Sequence, residues 1–270
     1  MTAANWPNCF NLTIASEGEK LDRNSKDRGN WTSGKIGVGE LKGSKFGIAA
    51  FVYPTVDISN LTKDGAKAIY YRDYWPKVAG DNQPQGVDLI AWDICVNSGA
   101  SRALTIEADA LASKITTAAG VAALANATAD KVPLIQKMCA LRASFYRGLS
   151  TFATFGKGWL SRNASMEANG VRMALAAANV PAPEIKKKLE TESTTASNKA
   201  ATSGKMAGGA ASGPATSPAA DWHSLDWSQI LMLGAAVAVL AGAAIVFFHW
   251  YRNHNERAKA YAAVASATGG

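Results

Sequence analysis

The chain has little of what would staple a fold or hold a metal: three cysteines and three histidines in 270 residues. An odd cysteine count excludes a full disulfide framework, and Cys9, Cys95 and Cys139 lack the close paired spacing of zinc sites. Their apolar neighbours make them buried thiols. His223, His249 and His254 all lie near the C-terminal end, so the rest of the chain has no Ser-His-Asp or Cys-His set; no metal and no other cofactor is expected. Helix-turn-helix, RRM and zinc-finger spacings are missing, which argues against a nucleic-acid partner. Met1 to Phe10 has no basic cluster followed by an apolar run, so no ordinary cleavable signal peptide is expected. Strand-like alternation is scarce.

What is present is helical periodicity, an excess of basic charge and a sharp change of composition. The formal charge of +7 suits an anionic partner such as a lipid surface or an acidic polymer, and equally serves solubility. Asn5 to Ala15 carries a short apolar stripe that ends near Ser16-Glu17-Gly18. Lys20 to Lys45 is polar and rich in glycine, which predicts loops and a small β-hairpin. Thr62 is placed to cap a helix running to about Trp75-Pro76. Gly86 to Asn97 is a second apolar helix, and further helices are predicted over 104–119, 135–155 and 166–178. The expected class is mainly α, with a small Gly-rich β element.

After Pro183 the pattern changes. Glu184 to Glu192 is charged, and Ser193 to Ala220 is nearly all Ser, Thr, Ala, Gly, Pro and Lys. Such a stretch buries too little apolar surface to offset the entropy of ordering and reads as a flexible linker. Ile230 to Trp250 is a continuous apolar run, long enough for a hydrocarbon core of about 30 Å. Trp222 and Trp227 before it, and Trp250 and Tyr251 after it, resemble interfacial belts. The expected organisation is a catalytic domain over 1–100, a helical region over 101–182, a linker over 183–226, a transmembrane helix over 227–250 and a short basic tail over 251–270. Arg252, Arg257 and Lys259 favour a cytoplasmic tail, but the absence of an export signal leaves the orientation open.

Glu17 stands where an apolar helix meets a polar, Gly-rich loop. Such a position suits a general acid, since one side of the carboxyl can face apolar packing, which raises a carboxyl pKa, while the other faces a cleft. Glu19, Asp22, Asp27 and Glu40 are the nearby carboxylates for a second role.

Several short segments, in order, resemble the glycoside hydrolase family 108 muramidases of phage endolysins and bacterial lysis systems. They are Ser16-Glu17-Gly18-Glu19 with Asp22 and Asp27-Arg28-Gly29-Asn30-Trp31-Thr32; Phe46-Gly47-Ile48; Asp57-Ile58 through Ala68 to Trp75; Asp93-Ile94-Cys95-Val96-Asn97-Ser98-Gly99; and Arg142 to Tyr146 with Lys157 to Arg162. The last pair matches a region described as peptidoglycan-binding. The chain departs from the pattern at Glu19, Lys20 and Asn30, and inserts about a dozen residues, Ser33 to Ser44.

The resemblance implies a lysozyme-like helical domain that cuts the β-1,4 bond between N-acetylmuramic acid and N-acetylglucosamine. Glu17 would protonate the leaving oxygen; Asp27, or Asp22, would orient a water or stabilise the oxocarbenium-like state. Trp31 in its polar loop is a candidate sugar platform, and Thr32 and Phe46 belong to the same motif. Tyr74 and Trp75 either stack on sugars or, as the commoner fate of large aromatics, pack in the core. The Asn97 amide either binds an N-acetyl group or caps its helix. Trp159 with Arg162 either touches glycan or packs helices. The implied partners are peptidoglycan glycan strands and, through the C-terminal helix, the lipid bilayer of a bacterial inner membrane, with the domain acting on the periplasmic wall. The rival readings are a wall-binding protein without catalysis and a holin-like protein acting through its C-terminal run.

Overall fold

The computed structural model describes residues 5–15, 20–211 and 227–268, except for the side chains of 211 and 227–237. The chain divides into two compact units, Met1–Arg142 with Asn169–Ala178, and Ala143–Ala168 with Asn179–Gly270.

The first unit is built round α3 (Val87–Ser98), whose residues from Val87 to Cys95 are all buried. A helix that is apolar on every side must be surrounded, and α1 (Trp6–Ile14) and α2 (Lys63–Asp73) supply part of that surround. Trp6 lies 4.9 Å, centroid to centroid, from both Trp75 and Trp92, and Tyr70 lies 5.3 Å from Trp92. Such tilted and edge-on pairs add to the burial of the rings themselves. α1 opens with Pro7 in its first turn, where no amide donor is missed. Thr62 caps α2 as expected, its Oγ1 accepting from Gly65 N at 3.1 Å.

Both carboxylates of α3 sit inside this apolar core. Asp93 pairs with Arg142 at 2.6 Å with both side chains fully buried. Asp88 accepts from Asn5 Nδ2, Gly86 N and Leu89 N, each at 2.7 Å. Gly86 has φ +88°, and a Cβ there would stand 2.2 Å from the Gly170 carbonyl oxygen; only glycine fits. Cys9, Cys95 and Cys139 are buried and form no disulfide, as their surroundings predict.

The expected small hairpin stands at the very end of the Gly-rich segment and runs past it, and it is minimal. β1 (Ser44–Lys45) pairs antiparallel with β2 (Ile48–Ala49), Ser44 opposite Ala49 and Lys45 opposite Ile48. The turn is Phe46-Gly47, both with positive φ, the geometry that two-residue hairpins require. Phe46 is thus a buried turn residue, 7% exposed.

Other boundaries differ from the periodicity. The helix expected over 104–119 is two helices, α4 (Ala100–Ala110) and α5 (Ala118–Ala127). Ala112 adopts a left-handed conformation between them, and Thr117 Oγ1 caps α5. The helix expected over 135–155 ends early: α6 (Lys131–Arg147) stops at Gly148, and α7 runs unbroken over Phe152–Ala177. The first compact unit extends past residue 100 and takes in α4, α5 and most of α6.

In the second unit the expected linker is largely structured. α8 covers Ala182–Ala211 and lies against α9 (Trp227–Ala267). Ile185, Leu189, Ala196, Ala200 and Ser203 recur at helical spacing and are all buried. Most of that stripe consists of small residues, so a composition typical of disorder conceals a close-packing helix face. Residues 212–226 lie outside the described residues. The tail expected over 251–270 is likewise not free: Tyr261 is fully buried, with Ala258 and Ala265 beside it. Glu167 of α7 accepts from Arg257 Nη2 at 2.6 Å and from the Tyr261 hydroxyl at 2.9 Å. Among the described residues no helix is long and apolar enough to cross a membrane. The first part of the expected span, 230–237, lies outside the residues whose side chains are described.

Candidate active site

Glu17, with Ser16, Gly18 and Glu19, lies outside the described residues. The geometry therefore concerns the loop platform after it, residues 20–53, where four of the expected site residues come together.

Asp22 forms an isolated antiparallel bridge with Ser44, two backbone hydrogen bonds of 2.8 Å. Its carboxylate accepts from Asn24 N at 2.9 Å and from Asn30 Nδ2 at 3.3 Å. Asp27 caps the 3-10 helix Arg28–Asn30, with Oδ1 accepting from Gly29 N at 2.8 Å. Both carboxylates are solvent-exposed. Both oxygens of Asp22 are thus engaged, whereas Oδ2 of Asp27 has no hydrogen-bond partner among the described residues.

Trp31 is half-buried; its indole N–H donates to the Ser25 carbonyl at 3.0 Å, and its backbone bridges Leu41. Thr32 anchors the inserted segment twice. Its N–H donates to the Glu40 carbonyl, and its Oγ1 accepts from Glu40 N, both at 3.0 Å. Gly39 has φ +77°, and a Cβ there would lie 2.5 Å from Thr32 Oγ1, so this contact requires glycine. The insertion is therefore a built hairpin-like loop rather than a loose excursion.

Asn30 is the residue that sequence reasoning passed over. It is fully buried, and its Nδ2 ties Asp22 Oδ2 to the Asn24 carbonyl. The signal was available, because a buried amide replaces the usual small glycine of the motif. Its Oδ1 has no hydrogen-bond partner among the described residues.

Phe46 and Tyr74 connect to the platform through Tyr70. The Tyr70 hydroxyl donates to the Phe46 carbonyl at 3.1 Å, and its ring lies 5.2 Å from that of Tyr74. Tyr74 is half-buried under the Lys77 ammonium, 4.7 Å from the ring centre, and burial pushes its phenol pKa up. Trp75 is a core residue, its indole N–H donating to Asp81 Oδ1 at 2.9 Å. Asn97 does not follow α3 but sits exposed in its last turn, where its Oδ1 accepts from Ser98 Oγ at 3.0 Å. The cap is Gly99, at φ +85°. The structure thus joins Asp22, Asp27, Trp31 and Thr32 on one platform, and Tyr70 links Phe46 to Tyr74.

Behind the platform, Asp73 accepts from the Tyr53 hydroxyl at 2.9 Å and from both faces of the Arg72 fork at 2.6 Å. The guanidinium holds the Asp73 carboxyl down to about 2. Among the described residues no cluster of His, Cys, Asp and Glu is arranged to hold a metal ion.

Residues 10–99 match the family model for glycosyl hydrolase 108. That match falls wholly within the first unit and spans Asp22, Asp27, Trp31, Thr32, Phe46, Tyr74 and Asn97; it supports a glycoside hydrolase there. No curated protein matches the chain. Among solved structures, SagA of Brucella abortus is similar, at 25% identity over 63% of this chain and 96% of that chain, with a TM-score of 0.50.

Proposed function

We propose that the chain is a peptidoglycan hydrolase of the N-acetylmuramidase type, with Glu17 as general acid. The observation that carries this is the family match over 10–99, which includes Glu17 and the loop platform after it. Asp27 is the better second carboxylate. One of its oxygens is fixed by Gly29 N, so the other is oriented and open to a water on the far face of the sugar ring. Asp22 instead serves to hold the platform closed on Ser44 and Asn30. Trp31, with its indole N–H tied back to Ser25, offers a fixed edge to a sugar.

The test is digestion of purified peptidoglycan with identification of the new reducing ends. Muramic acid ends are expected from the wild type. Glu17→Gln should lower the rate by at least about a hundredfold, the low end of general acid catalysis, while still binding wall. Glucosamine or anhydro-muramic ends would exclude this bond and mechanism, and full lysis by Glu17→Gln would remove Glu17 from it.

Membrane attachment through α9 is part of the same proposal. Ser228 to Phe248 holds no charged residue, and Val239 and Ile245 are 71% and 58% exposed on α9. A bacterial inner membrane is the surface this run fits, and the wall beside it is the substrate within reach. Deleting 221–270 should abolish flotation with lipid vesicles and leave wall digestion in place; loss of digestion instead would favour a holin-like role.

A further inference from the structure

The inserted segment does more than lengthen a loop. Glu40, Leu41 and Lys42 form one wall of a cleft of about 460 Å³, and Arg23, Asp57 and Ser59 help form the rest. Both walls are fixed. Lys42 Nζ donates to the Pro54 carbonyl at 2.7 Å and pairs with Glu40 at 3.3 Å. Arg23 Nη2 donates to Ser59 Oγ at 2.6 Å, and the Asp57 carboxylate is held by Ser59 N and by the Asn60 backbone and amide. The cleft adjoins the loop platform directly, because Arg23 follows Asp22 and Glu40 is bonded to Thr32 through two hydrogen bonds.

The lining carries two cations and two carboxylates, and none of the lining residues is aromatic. With no flat ring among them, these residues offer no stacking surface for the face of a sugar, and what distinguishes the lining is its density of both charges. In a wall polymer whose N-acetylated sugars are neutral, the charges lie on the peptide branches, which carry both carboxylates and ammonium groups. A cavity of this size holds a ligand of roughly drug-like dimensions, within the usual range for small-molecule pockets of about 300–1,000 Å³. We infer that the cleft between Arg23, Glu40, Lys42 and Asp57 binds the zwitterionic peptide branch of the substrate, with the two cations taking a carboxylate and Glu40 taking an ammonium group. This rests on the reading of the chain as a peptidoglycan hydrolase, and it gives the insertion a role: it makes recognition depend on the branch as well as on the glycan.

The direct test is titration of the full chain with a free tetrapeptide that carries a diamino acid and unblocked carboxylates. Binding in the millimolar range or tighter is expected, weakening several-fold between 50 and 300 mM salt as surface charges are screened. Arg23→Ala with Lys42→Ala should weaken it at least tenfold. Glu40→Gln, at a side chain 74% exposed and with its backbone bonds to Thr32 retained, should weaken it about threefold without loosening the loop. The same variants should lower the preference for peptide-bearing over peptide-stripped glycan. No binding by the wild type, or equal binding by all three proteins, overturns the assignment. The titration needs no catalysis, so a chain that binds the peptide but digests no wall would sink the hydrolase reading and leave the cleft standing.

Discussion

Glu107 has one hydrogen-bond partner and no exposure. Its Oε1 accepts from Gln83 Nε2 at 2.7 Å, while Glu107 Oε2 and Gln83 Oε1 are buried without partners among the described residues. Burial pushes its carboxyl up to about 7; Asp88, buried beside Asn5, is pushed up to about 6. The sign follows from which state holds the proton. The folded protein binds these protons more tightly than the unfolded chain, so the stability these two groups contribute is fully present below about pH 4 and is lost as pH rises through their folded values. For Glu107 alone the fall is on the order of 3 kcal/mol, at about 1.4 kcal/mol per pKa unit. Glu107→Gln keeps an acceptor for Gln83 and removes the charge. Its urea unfolding free energy should therefore be flatter than the wild type between pH 4.5 and 7, and an unchanged slope would mean that Glu107 does not carry the effect. None of this is legible in the sequence, where Glu107 is one polar residue in a helix. That Asp27 would lie in a loop was legible, since Lys20 to Lys45 is polar and rich in glycine; the turn that it caps was not. Asn30 was half legible: the departure from the motif was visible, but the buried bonds that depend on it were not.

At the scale of elements, the segments that resemble the family are linked through contacts that sequence order hides. Asp93 belongs to the segment ending Asn97-Ser98-Gly99, and Arg142 opens a later one. They meet as a fully buried pair on α3 and α6, which gives the acid a structural role. Removing one partner strands the other charge, so Asp93→Ala should cost about 3–5 kcal/mol. Gly86→Ala should also cost more than about 1 kcal/mol, because its positive φ and the Gly170 carbonyl both exclude a side chain. Thermal denaturation of the two variants checks both values, and a melting temperature within a degree or two of wild type would refute either. Helix existence was readable from apolar spacing in α1, α2 and α3. The break between α4 and α5 was not, because it depends on a left-handed Ala112 that no residue type announces. α8 was missed for a different reason. Alanine and serine contribute little hydrophobicity, yet they allow two helices to approach closely, and packing then stabilises what composition alone would leave unfolded.

At the scale of the whole molecule, the packing of α9 and the membrane attachment proposed for it exclude one another. Ser193 Oγ donates to the Ala258 carbonyl at 2.9 Å, and Gly204 lies against Tyr251; α8 and the C-terminal half of α9 therefore run antiparallel. If residues 230–248 span a bilayer, residues 226 and 251 lie on opposite faces. With α8 still packed on α9, residues 212–226 would have to cross the hydrocarbon as well. A polar stretch holding Pro214 and Pro218 has no way to satisfy its backbone there. Insertion thus requires α9 to leave α8 and to break the Glu167–Arg257 pair, whose separation leaves a buried charge uncompensated at a cost of about 3–5 kcal/mol. The hairpin and the anchored form are alternatives, and the packed hairpin opposes insertion. A disulfide between Ser193→Cys and Ala258→Cys should hold the chain in the hairpin. Oxidised, it should stay with the aqueous fraction when mixed with anionic lipid vesicles; reduced, it should float with them. Equal flotation of both forms would show that α9 reaches the lipid without opening, and the exclusion argued here would fail.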